Sequence, residues 1–97
     1  MQSLTDIFKR IPELQLIRCW KIAVGEVIYS QTQFLGLRTI KKGKRCLFIR
    51  VIDPTWRFEL KQQKDLLLEK YRIELSKAGV SEKKLPQDCI FSLKEKL

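Results

Sequence analysis

The sequence predicts a small two-layer α+β domain, in the order α-β-β-α-β, with helices packed on one face of a small three-stranded sheet. Three observations predict it. Leu16, Ile17, Trp20, Ala23, Val24, Val27 and Ile28 recur at helical spacing. Two alternating segments, 32–40 and 44–52, flank Lys41-Lys42-Gly43. A second helical stripe, Trp56, Leu60, Leu67, Tyr71 and Leu75, follows Asp53-Pro54. The 97 residues, 44% of them hydrophobic, suffice for one domain spanning 1–97 with a modest core.

At the N-terminus, Ser3 and Asp6 have the spacing of a capping box, opening a short helical turn through Phe8 to Arg10. Pro12 suits the first position of a second helical segment, which carries the Trp20 stripe. Gly25 lies inside that segment at a cost of about 1 kcal/mol relative to Ala. It serves either a close approach of the helix to the sheet or no special purpose.

The hairpin register follows from parity. Opposed residues share a face, so a three-residue loop sets Leu37 against Leu47, Leu35 against Ile49 and Gln33 against Val51. Gly43 then takes the left-handed position that such loops need. This aliphatic face is expected to meet Trp20, Val24, Val27, Trp56, Leu60 and Leu67 on the helices. The opposite face sets Phe34 beside Arg50, Gly36 beside Phe48, Arg38 beside Cys46 and Ile40 beside Lys44, and is expected to stay partly open.

Asp53 reads as an N-cap, Pro54 as the first residue of the next helix, and Gly79 as its C-terminal stop. Arg57, Lys61 and Lys64 form a second stripe on that helix, next to ordinary solvated pairs such as Lys61 with Asp65 and Lys70 with Glu74. Cys89 to Leu93 reads as the third strand. Trp20 and Trp56 are read as core anchors rather than stacking platforms.

Charge is concentrated. Between Glu26 and Asp53 lie 26 residues with no acidic side chain but with Arg38, Lys41, Lys42, Lys44, Arg45 and Arg50, while the rest of the chain carries 14 basic against 11 acidic residues. That distribution is the footprint of a polyanion-binding surface, and these six residues are the candidate nucleic-acid contacts. The plainer reading is a solvated edge whose lysines resist aggregation. Phe34 and Phe48, on the open face, are candidate contacts for a protein partner or for bases. The Arg57-Lys61-Lys64 stripe is a secondary candidate.

Several chemistries are unsupported. The chain has no His, so His-dependent catalysis is excluded. It has no Walker motif, no GxGxxG and no metal-ligand cluster, so no cofactor, metal or small-molecule substrate is expected, and no enzymatic activity. Cys19, Cys46 and Cys89 are odd in number and widely spaced, which reads as reduced thiols in a cytoplasmic protein. No apolar run exceeds Cys46 to Ile49, so no membrane span is expected.

The order Trp20, Val24-Gly25, Thr32, a hairpin, Pro54, Trp56, Glu59-Leu60 and a closing Ile90-Phe91 resembles the DUF721 family, which includes the DciA-type replicative helicase loaders. The resemblance spans roughly residues 14 to 93. It implies a K-homology-like domain that binds DNA, single-stranded and in some cases duplex, and assists the replicative helicase at initiation in the bacterial nucleoid. No GxxG is present, so the backbone clamp of ordinary K-homology domains is missing and another surface must serve. The sequence ends at Leu97 without the long tail of many relatives, so helicase contact is expected on the folded domain. The alternatives are a K-homology-like RNA-binding module and a protein-interaction domain whose basicity is incidental.

Overall fold

The computed structural model describes residues 4–41 and 43–93, with side chains from residue 13 onward except that of Lys41. The elements are α1 (Leu4–Ser30), β1 (Thr32–Lys41), β2 (Lys44–Val51), α2 (Pro54–Gln62), α3 (Lys64–Lys77), a 3₁₀ turn (Glu82–Lys84) and β3 (Asp88–Ser92). This is the α+β arrangement the sequence predicts, with its second helix divided. The sheet runs β1-β2-β3, with β1 antiparallel and β3 parallel to β2.

The first helix departs from expectation twice. It runs on through Pro12, which is an interior residue rather than the start of a new segment. The proposed cap, Ser3, lies outside the described residues. The real interruption is at Gly25, whose φ of 86° and ψ of 165° belong to a region that only glycine adopts readily. No atom lies within 4 Å of where a Cβ would stand, so Gly25 turns the chain without admitting a close neighbour. The turn also breaks the apolar stripe. Val24 packs on the core, but Val27, expected inside, is 69% exposed.

The hairpin keeps the predicted register at its centre, with Leu37 opposite Leu47, Arg38 opposite Cys46 and Gly36 opposite Phe48. Irregularities between Phe34 and Gly36 and between Thr39 and Lys41 shift it at both ends. Towards the turn, Lys41 rather than Ile40 stands opposite Lys44, and Gly43 takes a φ of 78°. At the other end Phe34 pairs with Ile49, Gln33 with Arg50 and Thr32 with Val51. The extra residue at Leu35 flips everything before it, since side-chain parity has a period of two. Phe34 therefore packs against the core instead of standing on the open face, and Leu35 leaves the Ile49 row.

The second helical stripe is broken at Gln63, whose φ of −100° and ψ of 9° end α2 and start α3. Asp53 caps α2 as expected, accepting at 2.7 Å from the Thr55 N–H. The break lets α2 lie along β3 with Leu60 in the core, while α3 packs against α1. Tyr71 of α3 donates its hydroxyl to the Leu16 carbonyl at 3.0 Å, and the Gln15 amide reaches Ala78 O at 3.4 Å.

The core centres on Trp20, which is completely buried. Its ring meets Tyr71 edge-on at 5.8 Å and Phe91 at 6.5 Å. Its Nε1 donates to Thr32 Oγ1 at 3.2 Å, and that hydroxyl donates in turn to Tyr29 O at 3.1 Å. Leu47, Ile49 and Val51 of β2 and Cys89 and Phe91 of β3 complete the cluster from the sheet side. Trp56 is only half-buried at its margin.

Equilibrium urea denaturation should rank these groups. Trp20→Ala is expected to cost about 3–5 kcal/mol and Trp56→Ala clearly less. Thr32→Val, which strands the buried indole N–H, is expected to cost about 1–3 kcal/mol. A Thr32→Val midpoint equal to that of the unaltered chain would show that the bond contributes nothing.

Candidate nucleic-acid interface

Alternation along the strands assigns every residue of β2 and β3 to a face. Leu47, Ile49, Val51, Cys89 and Phe91 point to the helices, so Cys46, Phe48, Arg50, Asp88 and Ile90 point the other way. The helices pack against the side of Leu47, Ile49 and Phe91, whereas on this second face Cys46 is completely buried and Phe48 and Arg50 are half-buried. Three cross-strand rows lie on it: Arg38-Cys46-Asp88, Gly36-Phe48-Ile90, and Gln33-Arg50-Ser92. Lys44 extends it towards the turn.

The middle row is apolar and accessible, with Phe48 half-buried and Ile90 39% exposed. Gly36 contributes no side chain, and the space where its Cβ would stand is open. Cations lie on both sides. Arg38 is exposed at one end, and Arg50 at the other donates from Nη1 to Gln33 Oε1 at 3.4 Å.

Not all of the sequence candidates share this face. Arg38, Lys44, Phe48 and Arg50 do. Arg45 points to the helix side, where it lines a hollow with Gln15, Leu16, Leu37 and Val80, and its Nε is buried without a hydrogen-bond partner among the described residues. Phe34 lies on the core side. The Lys41 side chain and Lys42 lie outside the described residues.

The secondary stripe occupies a groove along the outer edge of β3, where Arg57, Lys61 and Lys64 line one wall and Asp88 to Phe91 the other. Arg57 Nε donates to Phe91 O at 2.9 Å. Lys64 Nζ pairs with Asp88 Oδ1 at 3.1 Å, and the same oxygen accepts the Cys89 N–H at 2.8 Å. The backbone edge of β3 is thereby partly engaged by side chains, as exposed sheet edges commonly are.

Burial acts to raise the Asp88 carboxyl, but the Cys89 N–H and the Lys64 ammonium outweigh it and hold the group below its ordinary 3.8. Lys64 is pushed up from 10.5, chiefly by its hydrogen bond to Asp88. The thiols of Cys19, Cys46 and Cys89 are all raised from 9.0, first of all by burial, and are therefore protonated near neutrality. No three His, Cys, Asp or Glu side chains group as a metal site among the described residues, and no described helix is long and apolar enough to cross a membrane.

Sequence reasoning places Gly36 beside Phe48, as found, but misses Ile90 and Asp88 as neighbours of Phe48 and the cations. The signal was the parity of β3, which becomes usable only once its partner strand and direction are known.

Asp88 gives a pH test. A carboxyl with a depressed pKa stabilises the fold above its unfolded value and loses that contribution as pH falls through its folded value. Asp88→Asn retains an acceptor for Cys89 but loses the ion pair, so thermal melts should show a deficit below about 1 kcal/mol near neutrality. That deficit should close as pH falls below 3.8. A deficit unchanged at low pH would mean that the Asp88 charge is not its source.

Comparison with known proteins adds two findings. The profile of the family described as "Dna[CI] antecedent, DciA" matches residues 2–83, a span that includes the hairpin and the Arg57-Lys61-Lys64 stripe but stops before β3. No curated protein matches the chain.

Proposed function

The chain belongs to the DciA family, whose members serve the replicative helicase, and from that premise we propose that it is a DNA-binding adaptor assisting helicase loading at replication initiation. The observation that carries the DNA-binding part is the sheet face turned away from the helices, with Arg38, Lys44 and Arg50 around a half-buried Phe48. Long cationic stems on an open surface suit phosphate contact without reading of base sequence. An aromatic ring among them adds a place for a base to stack. Because Phe34 turns into the core, Phe48 is the only one of the two expected rings on this face, and the surrounding charge favours a polyanion over an apolar protein surface. The adaptor acts by holding DNA and helicase together, not by chemistry of its own.

Arg45, on the helix side, contributes little to this contact, which separates it from Arg38 and Lys44 despite its place in the sequence. Fluorescence-anisotropy titrations of a single-stranded oligonucleotide at several salt concentrations test the reading. If about four cations engage the strand, the log–log slope should be roughly −3, at ~0.7 per phosphate. Replacing Arg38 and Lys44 together with Glu should weaken binding and reduce the steepness by about 1.4, from ~0.7 for each of the two phosphates no longer neutralised. The melting temperature should hold, since Arg38 is exposed and Lys44 lies beside the turn. Undiminished affinity with an unchanged slope would remove the sheet face as the site. Co-purification of the chain with the replicative helicase tests the second half, and its absence at low salt would contradict the adaptor role.

A further inference from the structure

We propose that the open sheet face and the Arg57-Lys61 groove form one continuous track for single-stranded DNA, with bases stacked on Phe48 and the backbone passing over Ile90 towards Lys61. The inference rests on the DNA-binding reading above and specifies the form of the ligand.

The two basic regions are separate in the sequence and meet in the fold at β3. Ile90 stands beside Phe48 in the middle row of the open face, and it also lines the groove that holds Arg57 and Lys61. The path is flanked by cations along its course: Arg38 and Lys44 on one side of Phe48, Arg50 on the other, and exposed Lys61 beyond Ile90. Gly36 leaves one side of the Phe48 ring without a neighbouring side chain, so a flat group has access to it. A single strand has unstacked bases to place there, whereas a duplex keeps its bases in its own stack.

The groove suits a phosphate backbone better than an added peptide strand. Strand addition needs free backbone groups at the edge, yet the Phe91 carbonyl is taken by Arg57 and the Cys89 N–H by Asp88. Lys64 is committed to Asp88, which leaves Lys61 as the accessible ammonium of the stripe. Arg57 uses Nε on Phe91 O, and a guanidinium has further N–H donors to offer a phosphate.

The test measures binding of the full chain to three fluorescent probes by anisotropy: a ~12-nucleotide oligothymidylate, an abasic strand of equal length and a duplex of equal length. Phe48→Ala should weaken the oligothymidylate roughly five- to 150-fold, the range for losing one stacked base, and leave the other two nearly unchanged. Lys61→Glu should weaken oligothymidylate and abasic strand alike. Phe48→Leu, which keeps an apolar side chain in the row, should also lose preferentially the oligothymidylate, so a folding defect in Phe48→Ala does not decide the matter. If the unaltered chain binds and Phe48→Leu loses nothing, or loses equally on all three probes, stacking is overturned while DNA binding stands. If Lys61→Glu binds both strands normally, the continuous track is overturned. If the unaltered chain binds none of the probes, the DNA-binding reading itself fails.

Discussion

The buried Trp20 indole is the constraint on which the rest of the structure depends. It touches α3 through Tyr71 and β3 through Phe91, and it hydrogen-bonds Thr32 at the start of β1. An indole N–H with no partner would be costly in this position, so the Thr32 hydroxyl must reach it. That requirement fixes where β1 begins relative to α1. Gly25 is the means: the chain has to turn between Trp20 and Thr32, and the turn uses a backbone conformation that a Cβ would oppose. With Thr32 fixed opposite Val51, the hairpin presents Leu47, Ile49 and Val51 to the helices. The other face of the sheet is left over, and it carries the cations.

Much of this was legible in the sequence. The helix–hairpin–helix–strand order, the Asp53 cap and the central hairpin register all follow from periodicity and turn chemistry. Reading by strict alternation failed at Leu35, where one extra residue carried Phe34 to the core side. Gly36 was a hint, because a glycine inside a strand often marks a bulge. Extending the stripe through Gly25 places Val27 in the core, but the helix is broken there and Val27 turns to solvent. The break at Gln63 had no signal at all: Gln62-Gln63-Lys64 contains neither Gly nor Pro, and the division is imposed by α2 and α3 packing on different partners.

The site was legible as charge and not as a surface. Composition locates the basic segment, but the faces of the strands decide which cations act together. Lys44 and Arg45 are adjacent in sequence and point to opposite sides of the sheet. Arg57 and Lys61 lie on the helix that follows the hairpin and border its open face through Ile90. That association depends on the parallel pairing of β3 with β2, a long-range choice that local patterns do not encode. Lys64 shows the converse. It belongs to the stripe by spacing, but its ammonium is held by Asp88 at the strand edge.

The most direct measurement is a titration of the ¹⁵N-labelled chain with a short single-stranded oligonucleotide, followed by amide chemical shifts. The largest changes are expected at Gly36, Arg38, Phe48, Ile90 and Lys61, one connected surface drawn from β1, β2, β3 and α2. Residues of the groove between α1 and α3, such as Gln15, Ile22 and Glu74, should hardly move. Changes confined to that groove, with the open sheet face silent, would contradict a DNA site on the sheet.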